Sequence, residues 1–170
     1  MDSPPSIRFA SASSHGPRSA TTAHDGELRA AMAALDCSEV ATYIREVTPE
    51  LIRGFAEASG DAHPIHMDAA YARQTAYGKR LAHGVLMIGF MSTASTILFQ
   101  SIASRLGRAD ISVGYDRVRF IRPVFEGDVI TATARLGSTQ PDRLRALCEE
   151  RCTNQDGLDV AVGTHVLQFV

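Results

Sequence analysis

The sequence predicts an α+β domain in which an antiparallel sheet carries one long helix on its face. Three observations predict it. From His83 to Ser104 there is no Asp, Glu, Lys or Arg, the pattern of a helix covered on most sides. The helical patterns ahead of it are short. Everything behind it reads as strands, and such segregation along the chain favours an antiparallel sheet over alternating parallel units.

The elements follow in order. Val40 to Val47 mixes β-branched and aromatic residues with polar ones, as a strand does. Thr48 is placed to cap a helix, with Pro49 at its first position, where the missing N–H costs nothing. Leu51, Ile52, Phe55 and Ala58 recur at helical spacing, and Ser59-Gly60 is a stop signal. Residues Asp61 to His66 read as an irregular loop stiffened by Pro64. Asp68 can cap a short helix from Ala69 to about Thr75, and Tyr77 to Arg80 is a loop. The long helix is expected from about His83-Gly84 to Leu106, ended by Gly107. At ~1.5 Å per residue it spans roughly 33 Å. Four strands complete the chain: Ile111–Phe120, Val129–Gly137, Arg143–Thr153 and Val160–Val170, with a hairpin turn at Asp156-Gly157.

The 170 residues suit one domain with a tail. Met1 to Ala34 is rich in Ser, Ala, Pro and Thr, so residues 1–36 are expected to be a largely disordered leader, with a short helix allowed from Glu27 to Leu35, and the folded domain to run over 37–170. Between Ser3 and His24 the only charged side chains are Arg8 and Arg18. That pattern leaves a mitochondrial transit peptide as the alternative to a cytoplasmic location. The net charge of -2 carries no basic excess for nucleic acid. Three cysteines without a CxxC pair are neither a disulfide framework nor a zinc site. The uncharged stretch is long enough for a membrane span, but Ser92, Thr93, Ser95, Thr96, Gln100 and Ser101 interrupt it, so a core helix is expected.

The chemistry concentrates in the loop after Gly60. A carboxylate, Asp61, and an imidazole, His66, stand five residues apart in a bent segment. Both side chains can converge on one cavity and hold a water between them, and both move protons near neutral pH. Taken alone, the pair could equally be a turn aspartate and a structural histidine.

The surroundings narrow this. Ser59-Gly60-Asp61-Ala62-His63-Pro64-Ile65-His66-Met67-Asp68 resembles the hydratase motif of the MaoC-like family of (R)-specific enoyl-thioester hydratases. So do Ala82-His83-Gly84-Val85-Leu86, Arg119-Phe120-Ile121-Arg122-Pro123-Val124 and Glu126-Gly127-Asp128, in the family's order. The resemblance covers about Val40 to Val170. It implies a hot-dog fold, a long helix wrapped by an antiparallel sheet, paired as a homodimer. It implies catalysis by Asp61 and His66, with the Gly84 backbone N–H polarising a thioester carbonyl and Ser92 as a hydrogen-bond partner of Asp61. A helix N-terminus suits that oxyanion role on general grounds. His63 stands where the family pattern has Asn, so loop geometry is expected to differ there.

The activity so implied is reversible hydration of trans-2-enoyl thioesters to (R)-3-hydroxyacyl thioesters, a hydro-lyase reaction. No prosthetic group is expected; coenzyme A or acyl carrier protein enters as part of the substrate. Lys79, Arg80 and Arg122 are candidates for its phosphates, and Met87, Phe90 and Met91 for the acyl pocket. A metal site from Asp61, His63, His66 and His83 is a weaker expectation, since the motif explains these residues without metal. A Ser92-His66-Asp61 triad lacks the G-x-S-x-G elbow. The rival activities are a hot-dog thioesterase and a non-catalytic acyl-thioester-binding subunit.

Overall fold

The computed structural model describes residues 23–170. Eleven elements lie in this span: α1 (Ala23–Ala33), β1 (Val40–Glu46), α2 (Pro49–Ser59), α3 (Pro64–Met67), α4 (Ala69–Arg73), α5 (Leu86–Leu106), β2 (Asp110–Phe120), β3 (Val129–Gln140), a 3-10 turn (Pro141–Arg143), β4 (Arg145–Thr153) and β5 (Asp159–Phe169). The strands form one sheet in the order β1-β3-β4-β5-β2, every neighbouring pair antiparallel. The chain enters at one edge, crosses the sheet through α5, and resumes at the opposite edge with β2.

Helix α5 is the rod around which the sheet curls. Leu86, Met87, Phe90, Met91, Ala94, Leu98, Phe99 and Ile102 are all buried, on more than one face of the helix. The sheet supplies the other side of this core by alternation: Ala146, Cys148, Glu150 and Cys152 of β4 are buried, while Glu149 and Arg151 point outward. Although α5 is long and apolar enough to cross a bilayer, here its apolar surface is matched by the sheet. The wrapped rod is the hot-dog arrangement. All three cysteines are free, and burial pushes the Cys148 and Cys152 thiols up to about 12, so they pack as small apolar residues.

Three expectations change. The folded region begins before residue 37: α1 lays Leu28 and Met32 into the core, with Met32 wholly buried. The short helix allowed at Glu27 to Leu35 forms over Ala23–Ala33, and what its alanine-diluted pattern hid was that it packs into the core. Residues 1–22, and the transit-peptide reading that rests on them, lie outside the described residues. Second, the segment after Asp61 is not irregular throughout; Pro64 opens the single turn α3. Third, α5 begins at Leu86, behind a tight turn in which Leu86, Met87 and Ile88 donate to the carbonyls three residues back. Gly84 therefore precedes the helix.

The turn between β2 and β3 braces the site. Asp128 accepts from the Phe125 N–H through its side chain, its carbonyl accepts from the Val47 N–H, and Gly127 sits at φ 88°. Behind it, the Val124 carbonyl accepts from the Ala82 N–H at 2.8 Å, anchoring the segment that leads to His83 and Gly84.

Candidate active site

Helix α2 delivers the carboxylate. Thr48 caps its start by accepting from the Leu51 N–H, and Gly60 ends it in the left-handed region at φ 82°, a conformation that glycine adopts without steric cost. The chain then turns sharply. The Ser59 hydroxyl donates to the Phe55 carbonyl and accepts from the Asp61 N–H. Asp61 Oδ1 in turn accepts from the His63 N–H at 3.4 Å.

His63 does part of what an asparagine would do. Its Nδ1 accepts from the Ile65 N–H at 3.2 Å and caps α3. The bond sets its tautomer: Nδ1 is unprotonated and the proton sits on Nε2. The ring lies 6.2 Å from that of His66 and 6.0 Å from that of Tyr71, so the substituted position holds the loop and does not enter the reacting space.

His66 comes from α3. Its Nδ1 lies 2.8 Å from the Leu81 carbonyl. A carbonyl only accepts, so Nδ1 carries the proton and Nε2 is left as a free base. Burial lowers the His66 pKa from its usual 6.5; the Leu81 hydrogen bond opposes this, His83 adds to it, Asp61 opposes it, and His63 adds to it. The neutral, basic form is thus favoured at neutral pH.

His83 was expected to open the long helix and, on the metal reading, to stand with Asp61, His63 and His66. It is buried, lies between Phe55 (ring centroids 4.7 Å apart) and His66 (3.9 Å, stacked at 28°), and donates from Nε2 to the Asp61 carbonyl at 2.8 Å. One side chain thereby fixes both catalytic candidates, one by stacking and one through its backbone. Its sequence signal was adjacency to Gly84, which says nothing about the loop twenty residues earlier. The Leu81 carbonyl had no sequence signal at all.

One oxygen of Asp61 and one ring nitrogen each of His66 and His83 lie within 4.8 Å of one another. That spacing lets a single water hydrogen-bond to two of them. One nitrogen of each ring is already committed, His66 Nδ1 to the Leu81 carbonyl and His83 Nε2 to the Asp61 carbonyl, which leaves one nitrogen on each.

A pocket of about 330 Å³ opens beside this cluster, lined among others by His66, Leu81, Gly84, Met87, Phe120 and Arg122. Of the expected acyl-pocket residues Met87 faces it, whereas Phe90 and Met91 are spent in the core. Gly84 is needed for space: a Cβ there would meet Phe120 Cδ2 at 2.9 Å. The Gly84 N–H finds no acceptor among the described residues. Arg122 stands at the pocket and donates to the Asp159 carbonyl, Arg80 is paired with Glu126, and Lys79 lies over the Phe125 ring. Ser92 makes no hydrogen bond to Asp61; its hydroxyl lies by the Tyr115 phenol.

The profile of the MaoC like domain matches residues 34–151 of the sequence. The chain belongs to the MaoC-like family. Among its relatives, the (R)-specific enoyl-CoA hydratase of Aeromonas caviae is 31% identical over 118 residues, 69% of this chain and 83% of the relative. The 3-hydroxybutyryl-CoA dehydratase of Methylorubrum extorquens is 29% identical over 112 residues, 66% and 67% of the two chains. Among solved structures, the R-hydratase PhaJ1 of Pseudomonas aeruginosa superposes with a TM-score of 0.68 at 31% identity, over 81% of this MaoC-like chain and 84% of its own.

Proposed function

We propose that this MaoC-like protein is a hydro-lyase that adds water reversibly across trans-2-enoyl thioesters to give (R)-3-hydroxyacyl thioesters. Hydratase and dehydratase relatives support the reaction class. The observation that carries the residue assignment is the fixed His66: its Nδ1–H is committed to Leu81, its residue lines the pocket, and a carboxylate oxygen of Asp61 lies within 4.8 Å of a ring nitrogen.

The chemistry follows. Asp61 and His66 hold a water, one of them takes its proton, and the oxygen attacks C3. The negative charge that develops on the thioester oxygen is met by the Gly84 N–H, with the α5 N-terminus behind it. A proton returned to C2 completes the addition. The thioester itself makes C2 acidic enough for this cycle, so no prosthetic group is required, and the pantetheine carrier, coenzyme A or acyl carrier protein, belongs to the substrate.

A homodimer completes the reading. Strand β2 is a sheet edge that presents Ile111, Val113 and Phe120 to solvent at 49%, 44% and 50% exposure, and apolar edges are normally covered. A second copy laid along β2 would cover them.

The deciding experiment follows the loss of enoyl-thioester absorbance with crotonyl-CoA. The wild type is expected to hydrate it, and Asp61→Asn to lose ~2 to 4 orders of magnitude, the usual share of general acid–base catalysis. Equal rates would remove the mechanism. Release of free thiol in place of absorbance loss would mark a thioesterase.

A further inference from the structure

The segment Ala82-His83-Gly84 faces two ways. Ala82 and Gly84 line the pocket, while His83, between them, turns its ring inward and is 1% exposed. The ring packs between Phe55 of α2 and His66 of α3, at centroid distances of 4.7 and 3.9 Å. Its Nε2–H donates to the Asp61 carbonyl at 2.8 Å. That bond commits the one proton of a neutral imidazole, so Nδ1 carries a bare lone pair. Nδ1 is buried and has no hydrogen-bond partner among the described residues.

The orphaned nitrogen shows what the ring is not for. Buried polar atoms are nearly always paired, and an unpaired one lowers stability. A leucine of similar volume would fill the same slot without that penalty. Asp61 is exposed, so water can satisfy its carbonyl and the fold does not depend on the His83 bond. What the imidazole alone brings is a donor aimed at Asp61 together with a ring face laid on His66.

The chain joins this ring to the third part of the site. The Gly84 amide nitrogen is bonded directly to the His83 carbonyl carbon, and Ala82 on the other side donates to the Val124 carbonyl at 2.8 Å. One anchored residue therefore carries the oxyanion donor on its own peptide and, through its side chain, holds both groups that flank the water. Addition to an enoyl thioester must serve the carbonyl oxygen and C3 at once, and misplacement of either is expensive in rate. We propose that His83 is the positioning residue of the hydration site, the gauge that sets the Gly84 N–H at a fixed distance from the Asp61–His66 pair. This rests on the hydratase reading above.

The stacking also has an electrostatic side. The titratable groups acting on His66 are His83, Asp61 and His63, and of these only Asp61 favours its protonated form. Phe55, on the other face of His83, carries no charge. Two imidazolium rings 3.9 Å apart would repel, so His83 helps keep His66 in the neutral form that can take a proton from water.

The test compares His83→Leu, which removes donor and ring, with His83→Gln, whose amide nitrogen can reach the same carbonyl without a ring. Crotonyl-CoA hydration, thermal midpoint and the His66 ring resonances are followed in each. His83→Leu is expected to lose ~100-fold in kcat, the scale of a small misplacement. Its KM and thermal midpoint should change little, since His83 does not line the pocket. His83→Gln is expected to recover most of kcat and still to raise the His66 pKa, because no second imidazole stands beside it. A wild-type kcat in His83→Leu overturns the proposal, and so does a His83→Gln variant as slow as His83→Leu. If His83→Leu does not fold, His83→Gln decides: near-wild-type kcat with a raised His66 pKa supports the proposal, and an unchanged His66 pKa overturns it. Failure of the wild type to hydrate crotonyl-CoA would instead strike the hydratase reading. His83 is then judged on the His66 resonances of His83→Gln alone, where a raised pKa supports the coupling and an unchanged one overturns it.

Discussion

His66 owes its neutral state to its neighbours. Burial comes first among the causes that lower its pKa below 6.5, and the Leu81 carbonyl dictates which nitrogen is free. The pH consequence has a definite sign. If hydration needs neutral His66, the acidic limb of kcat/KM should fall at a pH below 6.5. A titration of the His66 ring resonances should give the same pKa, and a limb above 6.5 would contradict the assignment. Stability follows the same linkage. The folded state binds fewer protons than the unfolded chain between the depressed pKa and 6.5, so this group's contribution to stability falls as pH drops through that window and levels off below it. In the Asp61→Asn variant the His66 pKa should fall further, because the aspartate charge is one of the causes raising it.

At the scale of elements, the site depends on how α2 ends. Gly60 holds φ 82° and turns the chain so that Asp61 presents its carbonyl to His83. Nothing stands within 4 Å of a Cβ built there, so Gly60→Ala pays only for the backbone conformation, about 1–2 kcal/mol. The expected outcome is a modest drop in thermal midpoint with a larger loss of hydration rate, as the Asp61 loop shifts. A variant that melts early yet keeps full activity would show that the loop is held by other contacts. Most elements were legible because their signals are local: Thr48-Pro49 at one end of α2, Gly60 at the other, Gly107 after α5. The start of α5 was placed two or three residues early because His83-Gly84 carries no cap, and the tight turn there is held by Ala82 bonding across to Val124. Ser92 was expected near Asp61 on the strength of the family pattern, and the helix instead turns it toward Tyr115.

At the scale of the whole molecule, the core extends further toward the N-terminus than composition suggested. Met32 is fully buried among the core residues. Met32→Ala should therefore cost about 2–5 kcal/mol, the range for emptying a buried site, and a chain beginning at Cys37 should melt well below the full one. A thermal midpoint unchanged by either alteration would show that α1 is an ornament on the fold. The exposed edge makes a second prediction at this scale. Val113→Lys places a charge in the apolar strip of β2 and should shift the protein from dimer to monomer in sedimentation while preserving its far-UV spectrum. A dimer that survives would place the interface elsewhere.

What the sequence determined by itself was everything written in short-range code: the order of elements, the uncharged rod, the candidate pair Asp61 and His66 in a Pro-stiffened loop, and the family to which the chain belongs. Tertiary structure decided the rest, because those features join residues far apart in the chain. Leu81 choosing the His66 tautomer, His83 stacking on one catalytic candidate and holding the other, Phe120 closing over Gly84, and Ser95, Glu150 and His165 meeting under the helix depend on strand register and packing. No local propensity encodes those contacts.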